Sequence, residues 1–210
     1  TNGIILKNKT ITITVNSDTF TTTTNSQGRY TLKATANRTG TNTIQATYAG
    51  DNYYINTTSS TTINVNKQNT KVTINTMPTP TYNQTITITG TLTDIKNNAI
   101  TNARITVTIN DEEYETSTDN LGTYTLTTTA TTTGQNNITA TYPGNENYTN
   151  TTSSMKINVN KQNTKITTSP IKDSTYKDNI TVTGTLEDIN GIVLEYKPIT
   201  ITINNDTYEV

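Results

Sequence analysis

The chain has 210 residues, 30% of them hydrophobic, with 15 Lys plus Arg against 16 Asp plus Glu. A net charge of −1 supplies no field to steer nucleic acid or an anionic membrane. The absence of His and Cys removes Ser-His-Asp and Cys-His catalysis, thiolate metal sites and disulfides.

Thr10-Ile11-Thr12-Ile13-Thr14-Val15 opens with strict alternation, the period-2 pattern of a half-buried strand. A short strand carries Phe20, and Asn25-Ser26-Gln27-Gly28 reads as a turn. Tyr30, Leu32 and Ala34 alternate, as do Ile44, Ala46 and Tyr48; Ile63 and Val65 follow the turn cluster Ala49-Gly50-Asp51-Asn52. Further on, Val72 and Ile74 precede a Pro-bearing crossing at Met77-Pro78-Thr79-Pro80. Ile86, Ile88 and Leu92 form the next strand, with Gly90 a bulge or close-approach point. Alternation continues through Ile105, Val107 and Ile109, Tyr114, Tyr124 with Leu126, then Ile138, Ala140 and Tyr142, and finally Ile157 with Val159.

Lys67-Gln68-Asn69-Thr70-Lys71 returns as Lys161-Gln162-Asn163-Thr164-Lys165, a step of 162 − 68 = 94 residues. The same offset carries Gly28, Tyr30 and Leu32 onto Gly122, Tyr124 and Leu126, and Gly90-Thr91-Leu92 onto Gly184-Thr185-Leu186. Seven strands per unit, with turns every ~8–12 residues, predict an all-β fold of tandem immunoglobulin-like sandwiches. The expected domains are a partial module over 1–67 lacking its opening strands, a complete module over 68–161, and a partial module over 162–210 lacking its closing strands. Such a chain is expected to come from a longer array.

Gln45-Ala46-Thr47-Tyr48-Ala49-Gly50-Asp51-Asn52-Tyr53 and Thr139-Ala140-Thr141-Tyr142-Pro143-Gly144-Asn145-Glu146-Asn147-Tyr148 resemble the ending of bacterial Ig-like group 3 domains, with Asn145 departing from that motif's acid. Thr118-Asp119-Asn120-Leu121-Gly122-Thr123-Tyr124 also resembles prealbumin-like surface modules. The resemblance implies stacked modules in adhesin-like surface proteins of bacteria and methanogenic archaea. It further implies an extracellular location, with the anchor outside this segment.

The expected function is a non-catalytic, semi-rigid stalk, since Asn66-Lys67-Gln68-Asn69-Thr70-Lys71 contains neither Gly nor Pro. Its partners would be neighbouring modules of the same chain and, through a distal tip, a surface glycan or protein of another cell. Neither nucleic acid nor direct membrane insertion is expected, because no apolar run nears the ~20 residues of a spanning helix. The alternative is a glycan- or protein-binding module using Tyr53, Tyr54 and Tyr148, for which a packing role competes. The structural core is expected at Ile105, Val107, Tyr124, Leu126, Ile138, Tyr142, Ile157 and Val159, with Leu126→Ala costing about 2–5 kcal/mol.

Other chemistry reads as absent. No cofactor, catalytic residue or metal ligand is expected. Glu112-Glu113 is replaced by Asp18-Thr19 and Asp206-Thr207 one step away, as an exposed hairpin acid would be. Asp94 and Asp188 sit in turns without the dense oxygen cluster a hard cation needs. Lys71 and Asn158 fall on outward positions, against an isopeptide pair. Nine Asn-x-Ser/Thr sequons are what 30 Asn and 66 Ser plus Thr yield by chance. The Thr-x-Thr ladders lie on strands that twist, whereas an ice face is flat.

Overall fold

The computed structural model describes residues 3–210, which contain fifteen strands. In the first segment, β1 (Thr10–Val15), β2 (Asp18–Thr23), β3 (Gly40–Tyr48) and β4 (Thr57–Val65) form one antiparallel sheet in the order β2-β1-β3-β4. Ile11, Ile13 and Tyr48 make a small buried cluster, against which Leu6, Leu32 and Ile44 pack.

The central segment holds seven strands in two sheets. β5 (Thr70–Val72), β6 (Thr85–Asp94) and β9 (Thr123–Thr129) lie in the order β5-β6-β9. β7 (Arg104–Ile109), β8 (Glu112–Ser117), β10 (Gly134–Tyr142) and β11 (Thr151–Val159) lie in the order β11-β10-β7-β8. One buried cluster joins them, with Ile86, Ile88, Leu92 and Tyr124 from the first sheet and Ile105, Val107, Ile138 and Tyr142 from the second. Alternation dictates this arrangement. Every second residue of β6 from Ile86 to Asp94 is buried, while Thr85 and Thr87 face solvent. Fully burying each such aliphatic side chain stabilises by about 1.5–3 kcal/mol.

Gly90 is a point of close approach, not a bulge. The Tyr124 hydroxyl passes over it to donate a 2.5 Å hydrogen bond to the Thr73 carbonyl, and a Cβ at Gly90 would collide with both groups. Burial pushes the Tyr124 phenol up to about 12.

Two expectations need correction. Tyr30, Leu32 and Ala34 lie in no strand, and Tyr30 is exposed. The equivalent β9 is held by a seven-residue ladder to β6, from Thr85↔Thr129 to Thr91↔Thr123. The described part of the first segment has no strand in that place, so alternation finds no ladder partner. Leu126 is only partly buried, whereas Tyr124, two residues earlier on the same strand, is fully buried. The other seven expected core residues are buried.

After the central segment come two separate hairpins, β12 (Thr164–Thr168) with β13 (Gly184–Asp188), and β14 (Thr200–Ile203) with β15 (Asp206–Glu209). Ile166 and Ile180 are exposed there. Their counterparts Val72 and Ile86 are buried within the two-sheet core of the central segment.

Candidate functional site

The region most able to carry function is the end of the central module where the chain enters. Val65 ends β4, and Asn66 and Lys67 alone separate it from Gln68. Gln68 is already part of the next module. Its backbone N–H donates to the Asn147 carbonyl at 2.8 Å, and its carbonyl accepts from the Thr149 N–H at 3.0 Å. The side chains reinforce this seat, since Gln68 Nε2 donates to Asp94 Oδ2 at 2.9 Å and Thr70 Oγ1 donates to the Thr149 carbonyl at 2.9 Å. From the preceding segment, Thr39 Oγ1 donates to the Glu146 carbonyl at 2.8 Å.

Asp94 is a turn-former. Its carboxylate accepts from the backbone N–H groups of Lys96 and Asn98, from Asn98 Nδ2 and from Gln68 Nε2. These bonds, the Asn98 amide foremost, hold its pKa below the usual carboxylate value. Among the described residues, no group of three or more Asp or Glu side chains gathers in a metal-binding arrangement.

The tyrosine loops differ between the first and central segments. In the first segment, Asp51 Oδ1 accepts from the Tyr53 and Tyr54 N–H groups. Asp51 Oδ2 takes the Tyr48 hydroxyl at 2.7 Å and Lys9 Nζ at 2.5 Å, and the Lys9 ammonium stands 5.8 Å from the Tyr54 ring centre. Ninety-four positions on, at 9 + 94, 48 + 94 and 51 + 94, stand Ala103, Tyr142 and Asn145. Asn145 Oδ1 still accepts from the Asn147 and Tyr148 N–H groups at 2.9 Å. The buried Tyr142 hydroxyl finds no hydrogen-bond partner among the described residues.

The three tyrosines singled out by sequence do not form one surface. Tyr148 is partly buried against the central core, Tyr54 is 38% exposed, and Tyr53 is 88% exposed on the preceding segment. Lys71, Asn158 and Asn160 are exposed, and Glu113 is exposed beside Glu112, whose Oε2 accepts from the Tyr114 hydroxyl at 2.7 Å.

Sequence reasoning missed a buried amide lock. Asn136 is 4% exposed; its Nδ2 donates to the Thr132 and Gly134 carbonyls, and its Oδ1 accepts from Asn110 Nδ2 at 2.7 Å. Asn110, at φ 53°, is the turn residue between β7 and β8, and its Oδ1 accepts from the Asn137 N–H. Asn16 and Asn42 repeat this arrangement in the first segment. A signal was present, because Asn136 shares the inward parity of Ile138, Ala140 and Tyr142.

A comparison with curated proteins gives no match. Among solved structures, the chain is similar to the fibronectin(III)-like modules of Clostridium thermocellum CbhA, at 18% identity over 77% of this chain and 83% of that one, with a TM-score of 0.38. It is also similar to domains 1-6 of the surface layer protein SbsC, at 18% identity over 100% of this chain and 29% of that one, TM-score 0.35. A third likeness is to the Ca2+-stabilized adhesin that helps an Antarctic bacterium reach out and bind ice, at 19% identity over 100% of this chain and 55% of that one, TM-score 0.32. Residues 72–160 match the family model of the bacterial Ig-like domain, group 3, and their two sheets form the all-β sandwich of an Ig-like fold.

Proposed function

We propose that this chain is a non-catalytic, semi-rigid spacer from the stalk of an adhesin-like cell-surface protein. The observation that carries the reading is the two-residue junction. With Gln68 bonded on both sides to the 147–149 loop, only Asn66 and Lys67 are free to bend, and neither is Gly or Pro. The Thr39–Glu146 bond further favours a fixed angle between modules. Residues 72–160 match a bacterial Ig-like domain, and the sequence lacks the His and Cys of common catalysis. On this reading the chain lies outside the cell and holds a binding tip away from the surface.

Distances between spin labels at the exposed positions Thr62 and Lys156 test the proposal. A narrow distribution is expected, broadened when a Gly-Ser pair is inserted after Asn66. A distribution already as broad in the parent would overturn it.

The 88% exposure of Tyr53 supports a second reading, a ring free to stack on a sugar or a protein side chain. Glycan-array binding by the full chain that disappears in Tyr53→Ala would favour that reading.

A further inference from the structure

We infer that the central module is a tension-bearing element, in which load entering at Gln68 and leaving at Asn160 is carried by hydrogen bonds in shear. The inference rests on the spacer reading, since an anchored stalk with a bound tip transmits force along its chain. Its basis is the direction of the first and last strands.

From Gln68 the chain runs the length of the module to Tyr82, and β11 runs the same way to Asn160. Parallel bridges join the two paths near each end, at Gln68↔Tyr148 and Thr81↔Asn160. At the entry end the bonds are Gln68 N–H to Asn147 O, Thr149 N–H to Gln68 O, and Thr70 Oγ1 to Thr149 O. At the exit end the Asn160 N–H donates to Pro80 O at 2.9 Å, and the Tyr82 N–H donates to Asn160 O at 2.8 Å.

Pulling Gln68 and Asn160 apart slides these paths along each other. It also slides β11 along β10, with which it pairs from Gly134↔Val159 to Tyr142↔Thr151. Bonds perpendicular to the pull share the load and must fail together. A pull across the strands would instead open the same ladder one pair at a time. The geometry therefore makes resistance depend on direction, and the observed termini select the strong direction.

The test is single-molecule force spectroscopy on the full chain. Its lack of Cys allows handles at two chosen exposed residues. Lys67→Cys with Lys161→Cys loads the module end to end, and unfolding releases 161 − 67 = 94 residues, about 310–340 Å at full extension. Thr133→Cys with Lys161→Cys peels β11 from β10, starting at Val159. The end-to-end pair is expected to yield at a severalfold higher force. Equal forces, or a stronger peeling geometry, would overturn the inference.

Gln68→Ala with Thr70→Ala adds a second arm. It is expected to lower the end-to-end force while leaving the peeling force unchanged. A parallel drop in both would mean general destabilisation and would count against a shear clamp. A broad label-distance distribution at zero force would sink the spacer reading without altering the direction dependence, so the two failures are separable.

Discussion

Gly90→Ala is expected to reverse the usual sign of a glycine replacement. At a strand position of ordinary φ, Ala narrows the unfolded ensemble and gains about 0.4–1 kcal/mol. At Gly90 the new methyl meets the Thr73 carbonyl and the Tyr124 hydroxyl at impossible distances, and lies 2.6 Å from Tyr124 Cζ. Neither obstacle is a flexible chain end. Thr73 O is backbone held beside β6 by the Thr73 N–H to Thr91 O bond, and Tyr124 is fully buried. Overpacking costs about 1–3 kcal/mol, and loss of the Tyr124–Thr73 bond adds about 0.5–1.5, so after the entropic gain the net effect is a loss of roughly 0.5–4 kcal/mol. For a module of this size that corresponds to a melting midpoint lower by about 2–30 °C, read by tyrosine near-ultraviolet dichroism. Adding Tyr124→Phe should recover part of the loss, because it removes the hydroxyl but leaves the Thr73 clash. A midpoint equal to or above the parent's would refute the close-approach argument.

Other substitutions probe different layers of the fold. Ile105→Ala should cost about 2–5 kcal/mol and Leu126→Ala only about 1–2, since Leu126 is half out of the core; equal urea midpoints would contradict this ordering. Asn136→Ala leaves the Thr132 and Gly134 carbonyls and the Asn110 amide short of a partner, for a loss of about 1–3 kcal/mol, measurable as a lower melting midpoint. Asp51 is held well below the usual carboxylate range by Lys9 first, then by the Tyr48 hydroxyl and the Tyr53 amide. With the folded pKa below the unfolded one, its stabilisation is present above pH ~3.9 and fades as pH falls through the folded value; carbon NMR should show that depressed midpoint, and Lys9→Met should raise it. Asn145→Asp should give Tyr142 an acceptor and raise the melting midpoint, with no lysine at position 103, where Ala103 is buried in the central core; an unchanged midpoint would deny the new contact.

Much of the sandwich is legible because period-2 burial is written residue by residue. In β6 it marks Ile86, Ile88 and Leu92, and a glycine in the same series marks the place where a ring crosses. Alternation identifies a face but not a partner, which is why Tyr30–Ala34 reads as a strand yet forms none. Nor does it give the depth of burial along a strand, which is why Leu126 reads like Tyr124 although β9 buries the tyrosine fully and the leucine only in part. The polar locks were readable only in part. Asp94 and Asn136 stand on inward positions, where an Asp or Asn must be bonded internally, but the bonding partners come from loops that carry no periodicity.

The two tyrosine loops separate what the turn requires from what each module adds. Both turns need one acceptor oxygen on a short side chain, to take two successive backbone N–H groups, and Asp51 and Asn145 serve equally. The second atom of that side chain differs. In the first segment it is a carboxylate oxygen shared by Tyr48 and Lys9; in the central one it is an amide nitrogen, and the Lys position is Ala103. Losing the acid alone would have stranded the ammonium, and losing the lysine alone would have stripped the carboxylate of its counter-ion. The paired replacement avoids both, and the remaining cost is one unpartnered hydroxyl on Tyr142, about 1–3 kcal/mol. The central segment absorbs it because two full sheets close over a single continuous core. Among the described residues of the first segment the buried cluster is Ile11, Ile13 and Tyr48, and the ionic clasp at the loop ties Tyr48 to Lys9 through Asp51.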